Sequence, residues 1–316
     1  MQEITPFPQI TYAPLAGCSD YSFRQMSARY RPGLMFCEMV KMEPMLRNCP
    51  NTYQMLNYNE SMRPIGGQIC GSQPKLAGLC AKIIEDLGFD VVDLNCGCPV
   101  DKVTKDGSGS AMLKDPERIG EAISHMVAAV KIPVTVKIRA GWDEKSINAP
   151  LITQIVEEAG ARAIFIHGRT RAQAYRGGAN WTHIKSSKAV AKKIKVIGNG
   201  DIFNADAAIR MLKETHCDGI LVSRGTMGQP WIVEDIRHLI KGDPPIDRSY
   251  LDYRQALLDH IHYLREHKDP RNALITIRKI SGWYLKDAPN VRYLRKAVSQ
   301  ASSLDEAYKL ICLFDQ

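Results

Sequence analysis

Between Ile10 and Val222 the chain carries eight short, β-rich apolar runs, and stretches of helical spacing separate most of them. The runs cover residues 10–13, 34–37, 65–69, 91–94, 134–138, 163–166, 195–197 and 219–222. Helical spacing is clearest over 115–130. Asp115 suits the N-cap, Pro116 suits the first turn, and Ile119, Ile123, Met126, Val127 and Val130 make one face. Similar spacing predicts helices over 73–87, 149–159 and 204–215. Strand–helix alternation implies a parallel sheet, and eight repeats suit a (β/α)8 TIM barrel better than a doubly wound sheet. No G-x-G-x-x-G follows the first run and no P-loop occurs, so a Rossmann or P-loop fold has no anchor.

The alternation stops at Lys241-Gly242-Asp243-Pro244-Pro245, where glycine and paired prolines forbid a helix. Beyond this break the spacing is helical throughout: 249–265, 270–285, 291–299, and a last helix opened by Ser303-Leu304-Asp305-Glu306, which has the form of a capping box. Two units are expected, a barrel over 1–242 and a small helical bundle over 243–316. The 316 residues are 45% hydrophobic and 24% charged, a globular balance that excludes wholesale disorder. Mean hydropathy is −0.23, and no apolar run approaches the ~20 residues a membrane span needs. The first residues lack a secretory pattern, and nine scattered cysteines suit a reducing compartment. The expectation is a cytoplasmic protein, most simply a monomer. The net charge of +8 hints at a polyanionic partner.

Nearly every run ends in a polar residue: Glu38, Gln68, Asn95, Lys137 with Arg139, His167 with Arg169, Asn199 and Arg224. In a barrel these strand ends converge on one mouth. The sharpest motif is Asp93-Leu94-Asn95-Cys96-Gly97-Cys98-Pro99, whose turn lifts Cys98 into that mouth as a nucleophile, acid or ligand, or else as a small buried residue. Zinc is not expected, since Cys96 and Cys98 have no second ligand pair. An ordinary thiol has a pKa of roughly 8.5, so unactivated Cys98 would keep its proton near neutrality. Glycine-rich ends at Asn199-Gly200-Asp201 and Ser223-Arg224-Gly225 fall where barrel enzymes seat phosphate. Lys137 and Arg139 share one strand face and call for an anion. From His262 to Gln300 nine cations face three carboxylates, and Arg278, Lys279, Trp283 and Lys286 keep helical spacing. That stripe suits a nucleic-acid backbone or, equally, a solvated helix face.

Seven motifs in order resemble the flavin-dependent tRNA-dihydrouridine synthases along most of the chain. They are Ala13-Pro14-Leu15-Ala16-Gly17-Cys18-Ser19-Asp20 with Phe23-Arg24, Asn95-Cys96-Gly97-Cys98-Pro99, Val136-Lys137-Ile138-Arg139, His167-Gly168-Arg169-Thr170, Asn199-Gly200-Asp201-Ile202, Arg224-Gly225 with Gly228-Gln229-Pro230-Trp231, and Arg278-Lys279 with Trp283-Tyr284-Lys286. The resemblance implies an FMN-binding barrel, NADPH as reductant and tRNA as substrate. It implies that Pro14, Leu15 and Ala16 lie along the flavin, that Gln68 and Lys137 meet its pyrimidine edge, and that His167, Asn199, Gly200, Asp201, Ser223 and Arg224 hold its ribityl chain and phosphate. It makes Cys98 the proton donor to uracil C5 and puts Asn95 and Arg139 near the target base. Arg278, Lys279 and Lys286 would contact RNA. The chain departs from the family pattern at Leu15 (usually Met), Ser223 (usually Gly) and Asn180 (commonly Asp). An alternative is an FMN-dependent TIM-barrel oxidoreductase acting on a small molecule.

Overall fold

The computed structural model describes residues 7–286 and 290–313, so Asp287, counted in the tail's charge, lies outside them. The strands are β1 (Ile10–Tyr12), β2 (Leu34–Phe36), β3 (Val40–Lys41), β4 (Ile65–Cys70), β5 (Val91–Cys96), β6 (Val134–Arg139), β7 (Ala163–His167), β8 (Lys195–Asn199) and β9 (Gly219–Val222). All pairings between them are parallel, and β2 pairs both β1 and β4, which closes the sheet into a barrel. The eight expected positions are all filled, and the expected helices stand between them. Asp115 caps its helix by accepting from the Arg118 N–H at 3.2 Å.

The ninth segment was not expected. β2 pairs the start of β4 (Met35↔Ile65) and β3 pairs its end (Val40↔Ile69). The two are one barrel strand with an extra residue between them. That bulge re-aims the chain at Glu38, as bulges at barrel rims do.

Inside the barrel, period-2 alternation sorts side chains by depth. Leu34, Phe36, Val91, Ala163, Phe165, Ile197 and Leu221 pack into an apolar floor, with the rings of Phe36 and Phe165 edge to face at 5.6 Å. Two residues further along the same strands stand Asp93, His167, Asn199 and Ser223. The interior is therefore dry at one end and polar at the other.

A helix over Ile232–Lys241 ends the barrel, and the tail adds helices Tyr250–His267, Pro270–Tyr284, Val291–Gln300 and Leu304–Cys312. Their apolar faces share one buried cluster with two barrel residues, Met26 and Trp231. The seam also carries the Lys268–Asp20 ion pair at 2.8 Å and a bond from Ser22 Oγ to the Tyr263 carbonyl at 3.1 Å.

Candidate active site

A cavity of 390 Å³ opens at the polar end of the barrel. Fourteen of the residues expected in the mouth line it: Pro14, Leu15, Ala16, Gln68, Asn95, Cys98, Lys137, Arg139, His167, Asn199, Gly200, Asp201, Ser223 and Arg224; Glu38 and Arg169, also expected there, do not. Met39, Tyr175 and Phe203 line it as well, and were not anticipated. The last two lie in the loops after β7 and β8, and their rings flank the Arg224 guanidinium at 4.8 and 5.2 Å.

Cys98 is half-buried, on the turn just past β5. Asn95 Oδ1 accepts the N–H groups of Gly97 (3.1 Å) and Cys98 (2.9 Å). On the other side Arg139 Nε donates to the Gly97 carbonyl at 2.9 Å. Arg139 Nη1 is spent on the Thr170 and Ala174 carbonyls, both at 2.9 Å. Arg139 thus borders the cavity but chiefly ties the Cys98 turn to the loop after β7.

Lys137 has no hydrogen-bond or ion-pair partner among the described residues. Burial, and then Arg139, pull its ammonium down to about 8, while Asp93 and Cys98 oppose the drop. Burial raises the Asp93 carboxyl to about 6, against bonds from Thr135 and Gln68. His167 is pushed well below the ordinary imidazole range by burial and then by Lys137, Arg139, Arg169 and Arg224, so it is neutral near pH 7.

Arg169 does not face the cavity. It is 3% exposed and forks onto both oxygens of Asp201 at 2.8 Å, because a buried guanidinium needs an acceptor. Asp201 also accepts from the Ala179 N–H at 2.7 Å, so its carboxylate fixes the turn after β8. Ser223 lines the cavity. Its Oγ accepts from Asn199 Nδ2 at 3.0 Å. Asn180 Oδ1 accepts from the Thr182 N–H (3.0 Å) and hydroxyl (2.7 Å), bonds an Asp would also accept.

The three tail residues part company. Lys279 reaches across the seam to the Gly17 carbonyl. Arg278 instead donates to the Ala301 carbonyl at 2.8 Å, within the tail. Lys286 is exposed, just past the end of its helix. The expected single stripe is divided because neighbours on a helix point about 100° apart. Glu38, re-aimed by the bulge, accepts from the Gly17 N–H, so Gly17 is held at both its N–H and its carbonyl.

These residues fit FMN. The half-buried Lys137 ammonium, without a partner among the described residues, suits a group that gains negative charge. Gly200 and Gly225 leave backbone bare where a Cβ would fall 2.8 Å from His167 Cδ2 and 2.1 Å from the Ile202 carbonyl oxygen. Bare backbone beside a guanidinium is chemically suited to a phosphate.

A sequence model described as dihydrouridine synthase (Dus) matches residues 11–315. The probable tRNA-dihydrouridine synthase 1 of Synechocystis sp. is 37% identical over 312 residues, covering 98% of this chain and 86% of that one. The tRNA-dihydrouridine synthase B of Xanthomonas axonopodis pv. citri is 35% identical, with 94% and 90% covered. Its namesake from Shewanella oneidensis is 33% identical, with 96% and 94% covered. Among solved structures, histamine dehydrogenase from Rhizobium sp. 4-9 aligns with a TM-score of 0.56 at 14% identity, over 81% of this chain and 49% of that one. Morphinone reductase aligns with a TM-score of 0.53 at 12% identity, over 78% and 88%. These two share the fold.

Proposed function

This chain belongs to the dihydrouridine synthase family, and on that footing we propose that it reduces the C5–C6 double bond of uridines in tRNA to 5,6-dihydrouridine with FMN held in the barrel mouth. The observation that carries the reading is the convergence of the Cys98 thiol and the unpaired Lys137 ammonium on one cavity. FMN, when bound and reduced by NADPH, would supply the hydride equivalent that uracil receives at C6. The protein's part is to seat, polarise and protonate. Lys137 places a cation against the pyrimidine edge of the flavin, and neutral His167 with Asn199, Gly200, Ser223 and Arg224 holds the ribityl chain and phosphate. Asn95 borders the target base. The Cys98 thiol gives its proton to C5 and recovers one from solvent through the open mouth.

The target base must leave the RNA stack to enter the cavity, which costs a few kcal/mol and calls for wide contact with the tRNA. Residues 243–316 supply part of that contact, with Lys279 beside the mouth and further cations beyond it. One chain supplies the whole lining of the cavity, so a monomer suffices for the reaction, and the compartment is the cytoplasm, where tRNA is. No helix among the described residues is long and apolar enough to cross a membrane.

The test is direct. Purified protein should be yellow or reconstitute with FMN, and with NADPH it should convert uridine to dihydrouridine in a tRNA transcript. A colourless protein that FMN cannot reconstitute sinks the reading. A further expectation concerns Lys137. Its ammonium is lost as pH rises through about 8, so flavin reduction should slow above that pH. Lys137→Gln should react on the order of 10²-fold more slowly and lose that limb of the pH profile. Stopped-flow reduction across roughly pH 6–10, a range that brackets the shifted lysine pKa of about 8 but not the ordinary one, reads both.

A further inference from the structure

Four hydrogen bonds run in one direction from the Cys98 turn to Asp93, and a fifth, from Thr135, meets them at Asp93 from the other side. Thr135 Oγ1 donates to Asp93 Oδ1 at 2.6 Å, and Gln68 Nε2 donates to Asp93 Oδ2 at 2.7 Å. Asn95 Nδ2 donates to Gln68 Oε1 at 2.8 Å. The N–H groups of Gly97 and Cys98 then donate to Asn95 Oδ1. Asp93, Gln68 and Asn95 are 1%, 1% and 7% exposed, so water is a poor substitute for a lost partner.

The two ends fix the sense of the chain. Backbone N–H groups can only donate, and an ionised carboxylate can only accept. Between them, each amide has one orientation that satisfies both of its neighbours. From this we infer that Asp93 is a positioning residue, which sets the Gln68 and Asn95 amides and through them holds the turn that carries Cys98. The catalytic consequence rests on Cys98 being the proton donor, whereas the hydrogen-bond relay does not.

Direction makes a sharp test possible. Asn95→Asp places an acceptor at each end of Gln68. Whichever way the Gln68 amide turns, its carbonyl oxygen meets a carboxylate. Adding Asp93→Asn reverses the two bonds at Gln68 and keeps those at the ends. Asn at 93 donates to Gln68 Oε1 while its own oxygen still accepts from Thr135. Gln68 Nε2 then donates to Asp at 95, whose oxygens still accept from Gly97 and Cys98. Composition and net charge are unchanged and every bond has a counterpart.

Amide hydrogen exchange over residues 95–99 of the full chain reads the turn without requiring flavin, substrate or turnover. N95D should speed exchange there by about tenfold or more, the expected result of one buried bond replaced by a repulsion. D93N/N95D should return it to within about threefold of the parent, the residue of a changed partner at each end. Should N95D fail to fold, recovery of a folded, protected D93N/N95D protein is the expected outcome. The inference is overturned if N95D exchanges like the parent, or if the double variant exchanges as fast as N95D or likewise fails to fold. Because exchange does not depend on Cys98 chemistry, loss of the proton-donor reading would leave this result standing.

Discussion

Cys98→Ala is expected to lower dihydrouridine formation by about 10²–10⁴-fold, the usual contribution of a positioned general acid, while flavin stays bound and NADPH still reduces it. The selectivity of that loss comes from how the turn is held. Its N–H groups are anchored by Asn95 and its Gly97 carbonyl by Arg139, and none of these bonds uses the thiol. Removing Sγ therefore deletes an acid and leaves the turn standing. Cys96 cannot replace it, being fully buried against Met112 Sδ at 3.7 Å. Cys18 lines the same cavity, so a Cys18→Ala control separates the two thiols. Single-turnover reaction of pre-reduced enzyme with a tRNA transcript isolates the step. Full product yield from Cys98→Ala would remove Cys98 from the role.

What could be read from the sequence was what repeats along it. Eight β-rich runs with helices between them announce a closed parallel barrel, and period-2 alternation carries Lys137 and Arg139, or Phe165 and His167, to the same interior face. Strand ends then assemble the mouth. What escaped depends on partners across strands. The bulge at Glu38 appears only once β2 and β3 are both registered on β4. Arg169 looks from sequence like one more cation for phosphate, and only its contact with Asp201, on the next strand's loop, shows it already neutralised. The relay from Asp93 to Cys98 likewise crosses between β4 and β5. Capping illustrates the same limit at short range. Ser303 accepts from the Glu306 N–H as expected, but the Glu306 carboxylate returns to the Ser302 N–H. The full box is at Ser249 and Asp252.

The tail's share in tRNA binding cannot be tested by cutting it off at Asp243. Met26 and Trp231 belong to the barrel part of the chain, yet are 0% and 2% exposed because tail residues such as Leu257, Ile261 and Tyr284 cover them. Uncovering two such side chains costs about 1.5–3 kcal/mol each, a large part of a typical net stability of about 5–15 kcal/mol. A chain ending before Asp243 should aggregate, or melt about 10 °C or more below the whole protein, so its lost activity would say nothing about RNA. Charge reversal in the whole chain avoids that. Arg292 and Lys296 are exposed, lie one turn apart on the helix Val291–Gln300, and have no ion-pair partner among the described residues. Tyr293 beside them is 74% exposed. Turning both cations into glutamate should leave the melting temperature and flavin content unchanged. It should weaken tRNA binding by about tenfold or more at low salt and reduce the slope of log affinity against log salt by about two. Equal affinity and an equal salt slope would exclude this helix face from the tRNA contact and leave the seam around Lys279 and the barrel rim to carry it.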